Sequence, residues 1–369
     1  MHDDTYWMRR ALDLARRGLY TTAPNPRVGC VLVKNDVAVG EGWHQYAGEP
    51  HAEAHALRAA GDAASGATAY ITLEPCAHHG RTPPCADALI ATGIARAVVA
   101  CCDPNPLVAG QGVARLRAAG IAVSENVCQA EATALNRGFF RRISTGRPFV
   151  TLKLAASLDG RTALANGDSQ WITGAAARLD AHQHRLAADA IIAGTGSIIA
   201  DNARLTARYP TDLPSRQPLR VIIDSRLQTP PDAAVFSELT PILIACGETV
   251  PAPTYPAHAE LLRLPLADGH IPLAALLDEL AQLGRRGINN ALVEAGAGLA
   301  GAFLRAQLAD EILYYLAPCL LGPDARPLAA LPPLTDLSAK MQYIITDTTP
   351  LGTDLRLTLT PENPCSQAS

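Results

Sequence analysis

Between positions 51 and 85, one imidazole, one carboxylate and two thiols stand where strands should end and helices begin. This constellation limits the chain more than any other feature of it. His51-Ala52-Glu53 opens a helix predicted over 51–60, Glu74-Pro75-Cys76 closes a strand predicted over 67–73, and Pro83-Pro84-Cys85 opens a helix predicted over 86–92. One imidazole and two thiolates suit tetrahedral zinc, and three protein ligands leave a fourth position for water that the metal acidifies. His51, Cys76 and Cys85 are therefore the expected ligands. Glu53 lies only two residues from His51, a spacing that points side chains apart within a regular helix. Both must lie at the helix start, where Glu53 can shuttle a proton instead of binding metal. His55, one turn further on, reads as a helix-face residue.

The remaining composition is consistent with a reducing compartment. Nine cysteines is an odd number scattered through 369 residues, which argues against a disulfide scaffold. Cys30, Cys101, Cys102, Cys128, Cys246 and Cys319 sit in or beside apolar runs and read as small packing residues. With 48% hydrophobic and 18% charged residues the chain is too apolar for disorder. The uninterrupted apolar runs are far too short to span a bilayer, and Met1-His2-Asp3-Asp4 lacks the pattern of a signal peptide. A soluble, cytoplasmic chain is expected, with no membrane partner. There are 15 Lys/Arg against 13 Asp/Glu up to Arg147 and 16 against 22 beyond it, so neither half demands a nucleic acid.

Strand and helix signals alternate along the chain, predicting α/β layers with helices on both faces of a sheet. A helix capped by Asp4 or Thr5 and ended by Gly18 comes first. Paired strands over 28–33 and 37–43 follow, then the helices and strands around the metal motif. Gly146 and Pro148 mark a linker, dividing a domain at 1–146 from one at 147–369. The second begins with a strand over 149–154 and continues with a helix over 175–187 and strands over 190–193 and 219–224. A helix over 273–283, a strand over 291–294 and a helix over 299–305 come next. Segments 311–316 and 355–359 read as closing strands.

The metal motif has the H-x-E…P-C form of zinc nucleobase deaminases, except that eight residues separate Cys76 from Cys85 where C-x-x-C is usual. Together with Thr22-Ala23-Pro24-Asn25-Pro26-Arg27-Val28-Gly29-Cys30, Gly42-Trp43-His44, the whole run from Thr72 to Cys85, and Asp103-Pro104-Asn105-Pro106, it resembles the bifunctional deaminase–reductase family of bacterial riboflavin biosynthesis. The long cysteine spacing is that family's own variant. The resemblance implies a cytidine-deaminase-like first domain acting on a pyrimidine with a ribosylamino 5-phosphate, and releasing ammonia with Glu53 as proton carrier. It also implies substrate contacts at Asn25, His44, His78, Arg81 and Asn105. Without it, Asn25 and Asn105 would read as turn residues beside prolines. Arg81 is expected to read the ribose phosphate.

In the second half, Gly296, Gly298 and Gly301 match G-x-G-x-x-G between a strand and a helix, a turn whose amides can bind phosphate. No acid stands about 20 residues on, where Tyr314 is found, so the Rossmann fingerprint is incomplete, and close helix packing explains the glycines equally well. The segments Lys153–Gly160, Ser169–Thr173, Ala200–Thr206, Val221–Ser225 and Val293–Gly296 resemble the reductase half of the same family. That half is similar in fold to dihydrofolate reductase and uses NADPH to reduce the ribosyl group to ribityl. The resemblance implies cofactor contacts at Ala155, Trp171, Thr173, Ser197, Asp201, Ser225, Gly296, Ala297, Gly298, Leu299, Ala300 and Gly301. Substrate contacts follow at Ser169, Arg185, Leu205, Arg208 and Glu294, with Lys153 as a catalytic residue. The expected cofactors are zinc and NADPH. The expected partner is a phosphorylated ribosylaminopyrimidine, and a homo-oligomer is expected.

Two other readings stand beside this one. A deaminase of tRNA or free nucleobases should show a basic groove with stacking aromatics, but aromatic residues are only 5% here. An inactive zinc scaffold should supply a fourth protein ligand, for which His78 and His79 are the nearby candidates.

Overall fold

The computed structural model describes residues 2–77, 84–106, 108–282 and 287–362. The chain divides into two compact units, the first built on Met1–Gly146 and the second on Arg147–Asp212, Arg216–Leu283 and Ile288–Ser369.

The first unit begins with helix α1 (Asp4–Arg16), which Asp3 caps by accepting a hydrogen bond from the Tyr6 amide. The cap lies one residue earlier than the sequence suggests, which leaves the Asp4 carboxylate free to bind Tyr70 and Arg96. Strands β1 (Gly29–Lys34) and β2 (Val37–Trp43) form a hairpin around Asn35-Asp36, both at positive φ. Helix α2 (Ala52–Ala60), strand β3 (Thr68–Ile71), helix α3 (Cys85–Thr92), strand β4 (Arg96–Val99), helix α4 (Gln111–Ala118) and strand β5 (Ala122–Glu125) follow. The sheet order is β2-β1-β3-β4-β5, with β3, β4 and β5 parallel.

Alternation along β1 divides the core. Cys30 and Leu32 pack with Ala52, Ala56, Leu89 and Leu116 of α2, α3 and α4, whereas Val31 and Val33 pack with Trp7, Met8 and Leu12 of α1. Two helices that the sequence reading omitted, α5 (Gln129–Leu135) and α6 (Arg137–Thr145), join the α1 side through Ala132 and Phe139. α5 has only seven residues, whereas α6 carries an apolar stripe of Phe139, Phe140 and Ile143 that the sequence reading passed over.

The second unit is a nine-stranded sheet. Its strands are β6 (Phe149–Ser157), β8 (Ala190–Gly194), β9 (Leu219–Ile223), β10 (Ile242–Gly247), β11 (Ala259–Leu264), β12 (Asn290–Glu294), β13 (Glu311–Ala317), β15 (Tyr343–Leu351) and β16 (Asp354–Pro361). A short pair, β7 (Arg161–Ala163) and β14 (Arg326–Pro327), stands apart. The order is β11-β10-β9-β8-β12-β6-β13-β16-β15; β11 through β13 run parallel and β16 and β15 close the edge antiparallel. This differs from the 3-2-1-4-5-6 order of a Rossmann domain. Helices α9 (Leu273–Gln282) and α10 (Ala297–Arg305) bury Leu276, Leu280 and Phe303 on one face. Helix α7 (Ala175–Ala187) packs Ala177 against Leu313 and Tyr315, and the short helix α8 (Thr195–Asp201) buries Ile198 beside Ile191 and Ile222.

Cys30, Cys101 and Cys246 are buried as expected of packing residues, but Cys102 is exposed and its thiol donates to Glu74. Among the described residues no helix is long and apolar enough to cross a membrane. Close packing of α1 on the sheet is severe at Gly29, where a Cβ would stand 2.0 Å from the Ala11 carbonyl oxygen. Gly29→Ala should therefore cost about 1–3 kcal/mol as α1 is forced off the sheet. A urea midpoint shift at unchanged slope checks this.

Candidate active sites in the two units

The expected metal ligands converge. His51 is the N-cap residue of α2, Cys76 follows β3, and Cys85 opens α3. His51 Nδ1 lies 3.7 Å from Cys76 Sγ and 3.3 Å from Cys85 Sγ, and all three donor atoms fall within 4.8 Å of one another. Atoms bound to one tetrahedral zinc at about 2.0–2.3 Å stand about 3.5–3.8 Å apart. The donor set therefore fits zinc in both chemistry and spacing. Among the described residues no fourth histidine, cysteine or carboxylate joins the group. The Cys76 thiol is held well below the usual range, because the Cys85 thiol and amide donate to it and His51 stands beside it.

Glu53 is buried beside this group, and its Oε2 has no hydrogen-bond partner. Burial pushes its carboxyl above the usual range, with His51 opposing. Next to it, the His44 ring stands edge-on to His51. Burial holds His44 neutral, down to about 4. Its Nδ1 faces the Pro50 carbonyl at 3.1 Å and its Nε2 faces the Asn25 amide at 3.0 Å. A carbonyl only accepts, so Nδ1 carries the proton and Nε2 accepts from Asn25 Nδ2. This turns the Asn25 carbonyl oxygen away from His44. Asn105 lies in the turn before α4, with its amide bonded to Asp103. His78 and Arg81 lie outside the described residues.

In the second unit a cavity of about 1220 Å³ is lined by Lys153, Ala155, Ser169, Trp171, Thr173, Arg185, Ser197, Asp201, Leu205, Arg208 and Glu294, and by Gly296 to Leu299. That exceeds the roughly 300–1,000 Å³ usual for one small ligand and is sufficient for a cofactor and a substrate together. Lys153 and Glu294 are register partners on β6 and β12. Arg185 grips Glu294 with two hydrogen bonds of 2.5 and 2.7 Å. Burial would raise the Glu294 carboxyl, but Arg185 and Lys153 outweigh it and hold it at about 2. Burial lowers the Lys153 ammonium, with Glu294 opposing. Arg185 is thus tied into the site, and Arg208, though exposed, lines the cavity and bonds to Thr206 and His182.

Three of the expected cofactor residues do not line this cavity. Ala300 and Gly301 are buried inside α10, where a Gly301 Cβ would meet the Ala330 carbonyl oxygen at 2.2 Å. Gly301 is a packing glycine. Ser225 follows β9 and accepts from the Ile271 amide instead. The phosphate-binding expectation narrows to Gly296, Ala297 and Gly298 at the start of α10, where leading amides lack intrahelical partners. Nothing lies within 4 Å of a Cβ built at Gly298.

Sequence reasoning missed Tyr315 and His182. Tyr315 supports the Lys153 ammonium on its ring face at 5.6 Å and donates to Asp180. His182, one turn before Arg185, accepts from the Arg208 amide and lines the cavity. The three-residue step from His182 to Arg185 on α7 was the available signal.

Each unit matches a known class. Residues 1–101 match the cytidine and deoxycytidylate deaminase zinc-binding region, and residues 148–356 match the RibD C-terminal domain. The molecule is a zinc deaminase region joined to a reductase domain. The chain is 48% identical over 96% of its length to the riboflavin biosynthesis protein RibD of Escherichia coli, covering 99% of that protein, and 46% identical to that of Haemophilus influenzae over 97% of this chain and 98% of the other. The solved RibD of Acinetobacter baumannii superposes with a TM-score of 0.90 at 44% identity, covering 98% of this chain and 99% of that one. A deaminase/reductase from Thermotoga maritima gives 0.87 at 33%, covering 97% and 98%. The chain belongs to the RibD family of riboflavin biosynthesis enzymes.

Cys76→Ser should remove bound zinc, read as metal per chain by atomic absorption; full occupancy would exclude Cys76 as a ligand. Gly301→Ala should destabilise the protein by about 1–3 kcal/mol whereas Gly298→Ala should be nearly neutral in thermal melts.

Proposed function

We propose that the first unit deaminates a diaminohydroxypyrimidine bearing a ribosylamino 5-phosphate, and that the second reduces the deaminated product's ribosyl group to ribityl. The observation that carries this reading is the pairing of two separate centres in one chain: a three-donor metal group with an unpartnered buried Glu53, and a cavity organised around Lys153, Glu294 and Arg185. The deaminase boundary is taken at 146 and the reductase runs from 147 onward.

Zinc held by His51, Cys76 and Cys85 supplies the Lewis acidity that makes water nucleophilic near neutral pH. Glu53 Oε2, buried and unpartnered, would take a proton from the attacking water and return protons to the ring nitrogen and to the leaving amino group. Burial of Glu53 raises its affinity for the proton, which suits a group that must both accept and return it. Asn25 offers the pyrimidine its carbonyl oxygen as an acceptor and its second amide N–H as a donor, since one N–H is committed to His44 Nε2. Asn105 supplies a further contact to the ring.

In the second unit the start of α10, Gly296 to Gly298, would hold the phosphates of NADPH, which would supply the reducing electrons. Lys153 Nζ donates the proton taken up by the sugar oxygen as the ring opens, and its lowered pKa makes it a stronger acid than an exposed lysine. Arg185 holds Glu294 for the substrate, and Arg208 with Arg185 attracts its phosphate. Ser169 and Leu205 bound the substrate, while Ala155, Trp171, Thr173, Ser197 and Asp201 bound the cofactor.

Separating the two activities tests the reading. Glu53→Gln should reduce ammonia release by at least about 100-fold, the scale of a lost proton carrier, while reduction of the supplied deaminated intermediate continues. Lys153→Ala should spare ammonia release and abolish NADPH oxidation. If Glu53→Gln also stops reduction in a folded chain, the centres are not independent.

A further inference from the structure

Glu74 is buried, yet it belongs to neither the metal group nor the proton path. Its side chain meets only donors. Oε1 accepts from the amides of Gly112 at 2.9 Å and Val113 at 3.1 Å. Oε2 accepts from the amides of Asp103 at 3.2 Å and Gly110 at 2.9 Å, and from the Cys102 thiol at 3.0 Å. One side-chain carboxylate thus accepts from four backbone amides and a thiol.

The amides it holds come from both ends of one turn. Asp103 begins that turn, Gly110 ends it, and Asn105 lies between. Within the turn Asn105 bonds locally: its amide donates to Asp103, and its carbonyl accepts from the Val108 and Ala109 amides. The turn is therefore folded on itself, and Glu74 ties its two ends to the strand end that carries Cys76. Other contacts press the same surfaces together. A Cβ at Gly112 would stand 1.9 Å from the Pro75 carbonyl oxygen, and Arg115 of α4 donates to the Ala77 carbonyl while pairing with Asp87 of α3. Cys76 lies between the Pro75 and Ala77 contacts.

We infer that Glu74 is a positioning residue of the deaminase: by gripping both ends of the 103–110 turn it sets the distance between Asn105 and the metal, and so decides how tightly the pyrimidine is held over the metal. The inference rests on the deaminase reading of the first unit and on Asn105 as a substrate contact. A glutamine at 74 cannot reproduce the grip, because its amide nitrogen would face two backbone N–H groups. Glu74→Asp keeps the charge but shortens the reach by one methylene.

The test is a mutant cycle of Glu74→Gln, Asn105→Ala and the double variant, with Glu74→Asp as the conservative control. Four quantities are measured: KM and kcat for ammonia release, zinc per chain, and reduction of supplied deaminated intermediate as a check on the rest of the chain. Expected are a rise in KM of about tenfold or more for Glu74→Gln, a smaller rise for Glu74→Asp, and retained zinc and reduction. In the Asn105→Ala background, Glu74→Gln should add little, because it acts through that residue. Multiplied KM effects in the double variant, zinc lost in step with activity, an unchanged KM, or unfolding of both Glu74 variants would each overturn the inference. Failure of the underlying reading looks different: the unmutated chain would then release no ammonia from the pyrimidine at all.

Discussion

The first unit depends on bringing together three donor atoms from segments that are 25 and 34 residues apart. No local structure can do that. The order β2-β1-β3-β4-β5 puts the end of β3 beside the starts of α2 and α3, so that Cys76 meets His51 and Cys85 at one edge of the sheet. Helix starts suit this role because their first residues are not yet constrained by the helical spacing. His51 has extended backbone angles as the N-cap residue, which lets it and Glu53 turn toward the same centre. The small side chains of α2, Ala52 and Ala56, let that helix lie against the sheet: Gly40 and Gly42 of β2 face it where any Cβ would collide with its backbone.

The second unit solves a different problem, the burial of charge. Lys153, Glu294 and Arg185 would each be costly to bury alone, and each lowers the cost of the others. Register pairing of β6 with β12 sets lysine beside glutamate, and α7 supplies arginine from above in a two-bond fork. The cluster is therefore assembled and largely buried before any ligand arrives, which is the condition for electrostatic preorganisation. The Arg185–Glu294 pair contributes to stability above the ordinary glutamate range and loses that contribution as pH falls toward 2, since the carboxyl pKa is depressed.

Much of this was legible in the residues themselves. The helix of α7 was readable to the residue over 175–187, because thirteen residues carry a full helical pattern. The choice of His51, Cys76 and Cys85 as candidate metal ligands came from residue chemistry and from their positions at element ends, and the three donor atoms do converge. The reductase positions followed only from family resemblance, since Lys153 or Arg208 alone has no local signature. Elements that escaped notice included α5, α6, α8 and the edge strand β15, and also β10 and β11; β10 is a wholly buried apolar run with no alternation to mark it as a strand.

The sequence by itself determined which chemical groups are available and roughly where each element starts and stops, because both depend on residues close together in the chain. Only the tertiary structure decided what each group does. It turned Gly301 from a phosphate-loop candidate into a packing residue against Ala330, and removed Ala300 and Ser225 from the cavity wall. It protonated His44 at Nδ1 by setting a carbonyl there, and so directed Asn25. It gave Glu74, an undistinguished member of a sequence motif, five donors from a segment 28 to 39 residues away. Hydrogen-bond partners, tautomers and close approaches are set by distances between residues remote in sequence, and those distances exist only once the sheet has assembled.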